Sequence, residues 1–247
     1  FAEGKIKNLM ITMPPQHGKS EGSTRRLPAY ILGKNPDLKI AVGSYNATFA
    51  RKFNRDIQRI IDDKEYFKLF PDTVLNESNV VTISDSYLRN SEEFEVVGHR
   101  GSLKAVGRGG GLTGNPVDIM IMDDLYKDYA EGNSPVVRDA VLDWYDTVVK
   151  TRLHNDSQQL IVFTRWHEED LIGTLEADGR VVEIKSIDEI EGIDPKKFIK
   201  INFEAIMDQA ASGIDNRSKG QPLWPKRHSL EKLEDDKGKT PASIEKF

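Results

Sequence analysis

Apolar residues along this chain come in short runs separated by stretches with helical spacing. Leu9, Met10, Ile11 and Met13 form a run over residues 7–13 that stops at Pro14 and Pro15, which reads as a buried strand followed by a loop and a helix. Residues 39–44 repeat the strand pattern. Phe49, Ala50, Phe53, Ile57, Ile60 and Ile61 then recur at helical intervals over residues 48–61. Residues 80–83 and 94–97 read as shorter strands, and residues 117–122 as an apolar strand ending in Asp123 and Asp124. Residues 136–153 have a helical period, and residues 159–164 form a further buried strand leading into Arg165-Trp166-His167. Residues 181–187 and 198–203 return to strand, and beyond Leu223-Trp224-Pro225 the chain becomes highly charged. Strands alternating with helices predict an α/β domain whose mostly parallel central sheet has helices on both faces.

Composition narrows this picture little. The 247 residues, 38% hydrophobic and 30% charged, suffice for one large α/β domain with a short appendage. No apolar run approaches the roughly 18 residues of a membrane span, so no membrane partner is expected. The absence of cysteine excludes disulfides and thiolate metal sites and fits a reducing cytoplasm. A net charge of −5 argues against a globally basic nucleic-acid coat but leaves room for a local basic surface. The chain starts at Phe1 with no signal-peptide pattern and reads as a piece of a longer protein.

The candidate chemistry begins after the first strand. Met13-Pro14-Pro15-Gln16-His17-Gly18-Lys19-Ser20 lies between a predicted strand and a predicted helix, the context of a phosphate-binding loop. Gly18 lets backbone amides turn toward phosphate oxygens, Lys19 reaches the β- and γ-phosphates, and Ser20 offers a hydroxyl to Mg²⁺. Met13 stands where the usual pattern has its first glycine. A Gly-Lys-Ser turn at a helix start would look the same on its own. The acidic end of the strand at 117–122 is what makes it a nucleotide site: the first acid of such a pair binds Mg²⁺ and the second polarises the attacking water, which assigns Asp123 to the metal and Asp124 to the base. Asp124 is one methylene shorter than the glutamate common at that place.

With both motifs present, the chain resembles the terminase large subunits of tailed phages. The resemblance runs through Pro14-Pro15-Gln16-His17-Gly18-Lys19-Ser20-Glu21, Leu112-Thr113-Gly114, residues 118–124, Thr164-Arg165-Trp166-His167 and Leu223-Trp224-Pro225. It implies an ASCE, RecA-like P-loop ATPase that takes ATP and Mg²⁺, with residues 15–21 forming the nucleotide loop. We expect this domain over residues 1–225 and a charged connector over 226–247, leading to a C-terminal nuclease. The chain ends about where that connector would begin, so cleavage is not expected of it. The resemblance also implies that Thr164 senses the γ-phosphate. An arginine should complete the site, in cis or from a neighbouring subunit; the loop has none, which leaves Arg108 as the candidate and Arg100 behind it. The implied partners are double-stranded DNA, the portal protein, the small terminase subunit and further copies of the chain in a ring. The isolated domain should be a monomer, and the work is expected in the host cytoplasm during virion assembly.

Two other sites are set aside. His167-Glu168-Glu169-Asp170 suggests a zinc helix, but Leu171 replaces the second histidine. The glycines at 107–114 precede a strand rather than opening a helix, which is the wrong context for a dinucleotide. Two rival functions share the nucleotide motifs: a helicase-like nucleic-acid translocase, and an assembly module gated by nucleotide with negligible turnover.

Overall fold

The computed structural model describes residues 1–77, 86–112, 114 and 116–237. The expected strand at 80–83, Thr113, Asn115 and the end of the expected connector, 238–247, lie outside the described residues.

One eight-stranded sheet organises the described chain. Its strands are β1 (Asn8–Thr12), β2 (Lys39–Ser44), β3 (Glu93–Glu95), β4 (Ser102–Gly107), β5 (Val117–Asp123), β6 (Leu153–Phe163), β7 (Val181–Glu183) and β8 (Phe198–Asn202), in the spatial order β3-β4-β2-β5-β6-β1-β8-β7. Every pair is parallel except the edge pair β3 and β4. Strand β4 was not foreseen, because its short run Leu103 to Val106 is flanked by the glycines that made the region read as a loop.

Side chains alternate between the two faces of the sheet, as the period of two requires. Leu9, Ile40, Val42, Ile119, Ile121, Leu160 and Val162 pack on one face against α1 (Leu27–Lys34), α2 (Ala47–Ile61) and α3 (Lys64–Leu69), through Ile31, Leu32, Phe53, Ile57 and Tyr66. Met10, Ala41, Met120, Met122, Ile161 and Phe163 pack on the other. There they meet Val141 and Trp144 of α5 (Pro135–Trp144), which follows the short α4 (Tyr129–Gly132), and Leu171, Ile172 and Leu175 of α6 (Leu171–Ala177). The runs at 39–44 and 117–122 look apolar throughout in sequence because β2 and β5 are buried on both faces. The last helix, α7 (Leu230–Asp236), lies in the expected connector.

Two features of the sheet place the site. Strand β6 lies between β1 and β5, with Thr12 opposite Phe163 and Val162 opposite Asp123, so three parallel strands end side by side. At the other end of β6 the pairing is irregular: Val117 pairs with Leu153, but Ile119 pairs with Gln158.

Candidate active site

The carboxyl ends of β1, β6 and β5 bring Lys19, Thr164 and the Asp123-Asp124 pair together, residues separated by about 40 to 145 positions in the chain. The loop after β1 keeps strand pairing at its first residue, since the Met13 amide donates to the Phe163 carbonyl (3.2 Å). The left-handed residues of the loop are Gln16 (φ 60°) and Gly18 (φ 90°), and Met13 is not among them. This is why methionine is tolerated where glycine is usual. Gly18 supplies the positive φ at no steric cost, whereas Gln16 adopts it against its preference. Helical structure starts at Lys19 and runs through a π-helical segment, Glu21–Arg26, into α1.

Lys19 Nζ is bonded to both partners that the sequence placed elsewhere. It donates to Thr164 Oγ1 (2.8 Å) and forms an ion pair with Asp124 Oδ2 (2.6 Å). The other oxygen of Asp124 accepts the Thr164 amide (3.0 Å). Asp124 has φ 43°, an uncommon conformation for a residue with a side chain, held by backbone bonds from its amide to the Val162 carbonyl and from the Tyr45 amide to its carbonyl.

Asp123 is fully buried. One carboxylate oxygen accepts the Thr24 hydroxyl (2.5 Å), and the other has no protein partner. Burial pushes its pKa up to about 6; the charge of Asp124 adds to the rise, while Lys19, Thr24 and Ser20 oppose it. A buried, partly unsatisfied carboxylate beside a serine hydroxyl suits a hard divalent cation, which needs oxygen ligands and takes only one or two from the protein when phosphates provide the rest. No cluster of three or more His, Asp or Glu able to hold a metal occurs among the described residues. Thr24 was missed in the sequence. It lies one helical turn beyond Ser20, and only the fold shows that this turn faces β5.

The remaining loop residues are occupied locally. His17 Nδ1 donates to the Pro15 carbonyl (2.9 Å), and Glu21 pairs with Arg26 (2.9 Å) and more loosely with Arg25 (3.8 Å). Arg108 follows β4 at the same edge of the sheet, but its guanidinium binds Glu131 (3.0 Å) and the Leu125 carbonyl (3.0 Å). Arg100 precedes β4 at the opposite edge, where its amide binds Asp37 (3.0 Å). Among the described residues, no arginine bonds to Lys19, Asp123, Asp124 or Thr164. Arg165 pairs with Asp170 and Glu176, Trp166 packs over Gly132, and His167 accepts the Glu169 amide (3.0 Å). Asp170 caps α6 through the Gly173 amide (3.0 Å), so the acidic stretch there is a helix start.

Residues 10–238 match the family model described as terminase large subunit, T4likevirus-type, N-terminal. Among solved structures, the chain is similar to the HK97 bacteriophage large terminase, with 15% identity and a TM-score of 0.53 over 98% of this chain and 45% of that one. It is also similar to the Thermus phage P74-26 large terminase ATPase domain, with 14% identity and a TM-score of 0.59 over 96% of this chain and 84% of that one. No curated protein matches it. The chain thus spans under half of the HK97 protein and most of the ATPase domain, and at these identities the likeness is one of fold, that of a P-loop NTPase.

Proposed function

From a chain that belongs to the family of terminase large subunit N-terminal domains, we propose an ATP-hydrolysing motor domain that drives double-stranded DNA into a viral procapsid. The observation that carries this reading is the meeting of Lys19, Asp124 and Thr164 at the ends of three adjacent strands. When ATP enters, its β- and γ-phosphates draw the Lys19 ammonium away from Asp124. Asp124 is then free to accept the proton of a water attacking the γ-phosphorus, with ADP leaving on the far side. The Thr164 amide keeps the carboxylate oriented during that exchange. Ser20 and Asp123 are the residues that would hold Mg²⁺, which neutralises the phosphate oxygens when bound.

Thr164 touches both the cation and the base, so it links phosphate occupancy to β6 and the segment beyond it. Arg108 must leave Glu131 to reach a phosphate, and a neighbouring copy in a ring is the alternative source of positive charge. Residues 1–225 form the ATPase unit in this reading and 226–247 the connector. Membership of the family is what supports portal protein, small subunit and a homo-oligomeric ring as partners in this reading, and the host cytoplasm as the place of work.

The absence of an arginine from the resting site also favours low turnover in the isolated, monomeric domain, so binding and hydrolysis are measured separately. Calorimetric titration with Mg·ATPγS, alongside phosphate release with and without duplex DNA, tests the proposal. Binding that Lys19→Ala abolishes, together with hydrolysis that Asp124→Asn stops, is the expected result. Failure of the unsubstituted chain to bind any nucleoside triphosphate would overturn it, and binding without hydrolysis even in assembled rings would leave the gated assembly module.

A further inference from the structure

Leu223-Trp224-Pro225 has no role in the mechanism above, yet the fold returns this segment to the phosphate loop. Beyond β8 the chain is irregular but well tied. The Leu223 amide donates to the Ala205 carbonyl (2.9 Å), the Met207 amide to the Gln221 carbonyl (3.0 Å), and Arg217 binds Asp215 and the carbonyls of Glu204 and Gln221. Trp224 is therefore delivered from a stiff support. Its carbonyl accepts the amides of Arg227 (3.0 Å) and His228 (2.9 Å), a turn that brings the His228 ring onto the loop.

Three consecutive loop residues meet this segment. The His228 Nε2–H donates to the Gln16 carbonyl (3.4 Å). The His17 and His228 rings stack with centroids 4.3 Å apart and planes 24° apart. The Trp224 ring lies 3.7 Å from where a Cβ on Gly18 would be. Gln16 is the loop residue that holds a left-handed backbone against its preference, the place where the conformation most needs outside support, and Gly18 is the left-handed residue two positions on. Nδ1 of the buried His17 holds the adjacent Pro15 carbonyl and Nε2 has no partner, so the stack with His228 is its contact with a distant part of the chain. Burial holds the His17 imidazole below its ordinary pKa, and the nearby Arg217 and Arg227 push in the same direction. Ser229 then caps α7 through the Lys232 amide (3.3 Å), so the contact continues directly into that helix.

We propose that Trp224 and His228 are positioning residues that hold residues 16–18 in the conformation that receives phosphate and link that conformation to α7. They leave Lys19 and Ser20 free, touching only the outer part of the loop. This inference rests on the phosphate-loop reading of the proposed function. A tryptophan beside the loop, 39% exposed, also provides an optical reporter of its state.

The test uses the full chain and Mg·ADP as the probe. Trp224→Ala and His228→Ala should weaken ADP binding about tenfold, the scale of releasing one strained backbone residue. His228→Phe, which keeps the stacked ring, should bind within about twofold of the unsubstituted chain. ADP should change the tryptophan emission of the unsubstituted chain, and Trp224→Phe should remove that change while still binding ADP. A merely structural role would lower the melting temperature without separating His228→Ala from His228→Phe in affinity, and that result overturns the proposal. Should the alanine variants not fold, loss of the emission change in Trp224→Phe supports the proposal and its persistence overturns it. If the unsubstituted chain binds no ADP, the phosphate-loop reading itself has failed.

Discussion

Two clusters of buried charge adjoin at the end of β6, where Thr164 of one is followed by Arg165 of the other, and they differ in completeness. Around Arg165 every carboxylate is satisfied. Asp170 accepts from the Arg165 guanidinium (2.9 Å) and the Gly173 amide, and Glu176 accepts from Arg165 (3.0 Å) and Lys200 (2.7 Å). Around Lys19 the accounts are open: Asp123 has an oxygen without a partner, Asp124 adopts a left-handed backbone, and Lys19 holds two groups that a phosphate would displace. Burial pushes both Asp123 and Asp170 up, but Arg165 stands against that rise with a direct ion pair, whereas Asp123 has no cation bonded to it. The Arg165 cluster is finished as a piece of structure. The Lys19 cluster is left open, and that incompleteness is what supports the proposed nucleotide site.

Substitutions should therefore separate the clusters by what they damage. Lys19→Ala has the largest expected effect, reducing nucleotide binding and phosphate release to background with little change in melting temperature. Asp124→Asn comes next: hydrolysis should fall by about 10²- to 10⁴-fold, the usual worth of a positioned general base, while calorimetry still detects ATPγS binding. Arg165→Ala should reverse the pattern. It strands Asp170 as a buried charge, at a cost of about 3 to 5 kcal/mol, seen as a melting temperature lower by on the order of 10 °C. Its folded fraction should bind nucleotide normally, and a selective loss of binding would merge the two clusters into one.

The smallest effect concerns pH. Because the folded form holds the Asp123 proton up to about pH 6, its contribution to stability is full below the ordinary carboxylate value of 3.8 and is lost as pH rises through about 6. Without metal, the urea midpoint of the unsubstituted chain should fall across that window relative to Asp123→Asn. Parallel profiles for the two proteins would show that Asp123 is not the strained group.

Sequence pattern was most informative where structure is local. The runs at 39–44 and 117–122 became β2 and β5 because strands buried on both faces carry an apolar residue at nearly every position. The motif residues Lys19, Asp123, Asp124 and Thr164 were legible as types. Their mutual contacts were not, since these depend on β6 lying between β1 and β5. Thr24 looks like any polar helix residue until its helix is seen to face Asp123. His228 was part of the expected connector, and no local signal ties it to His17, more than two hundred residues earlier. The expected helix at 136–153 loosens near its end, where α5 gives way to π-helical and 3₁₀ turns before β6.

The uneven pairing of β6 says where this chain can change length. Near Asp123 and Thr12 the strand is in strict register with both neighbours, and losing a single residue there would swap its two faces and turn Thr164 away from Lys19. Between Val117 and Ile119 the ladder already accommodates surplus residues of β6, with the Ser157 hydroxyl bonded to the Val117 carbonyl (2.6 Å) and His154 to Asp118 (2.9 Å). Insertions and deletions should thus be tolerated around residues 154–157 and forbidden around 160–164. Drift in length among natural variants should collect at the end of the sheet farthest from the nucleotide.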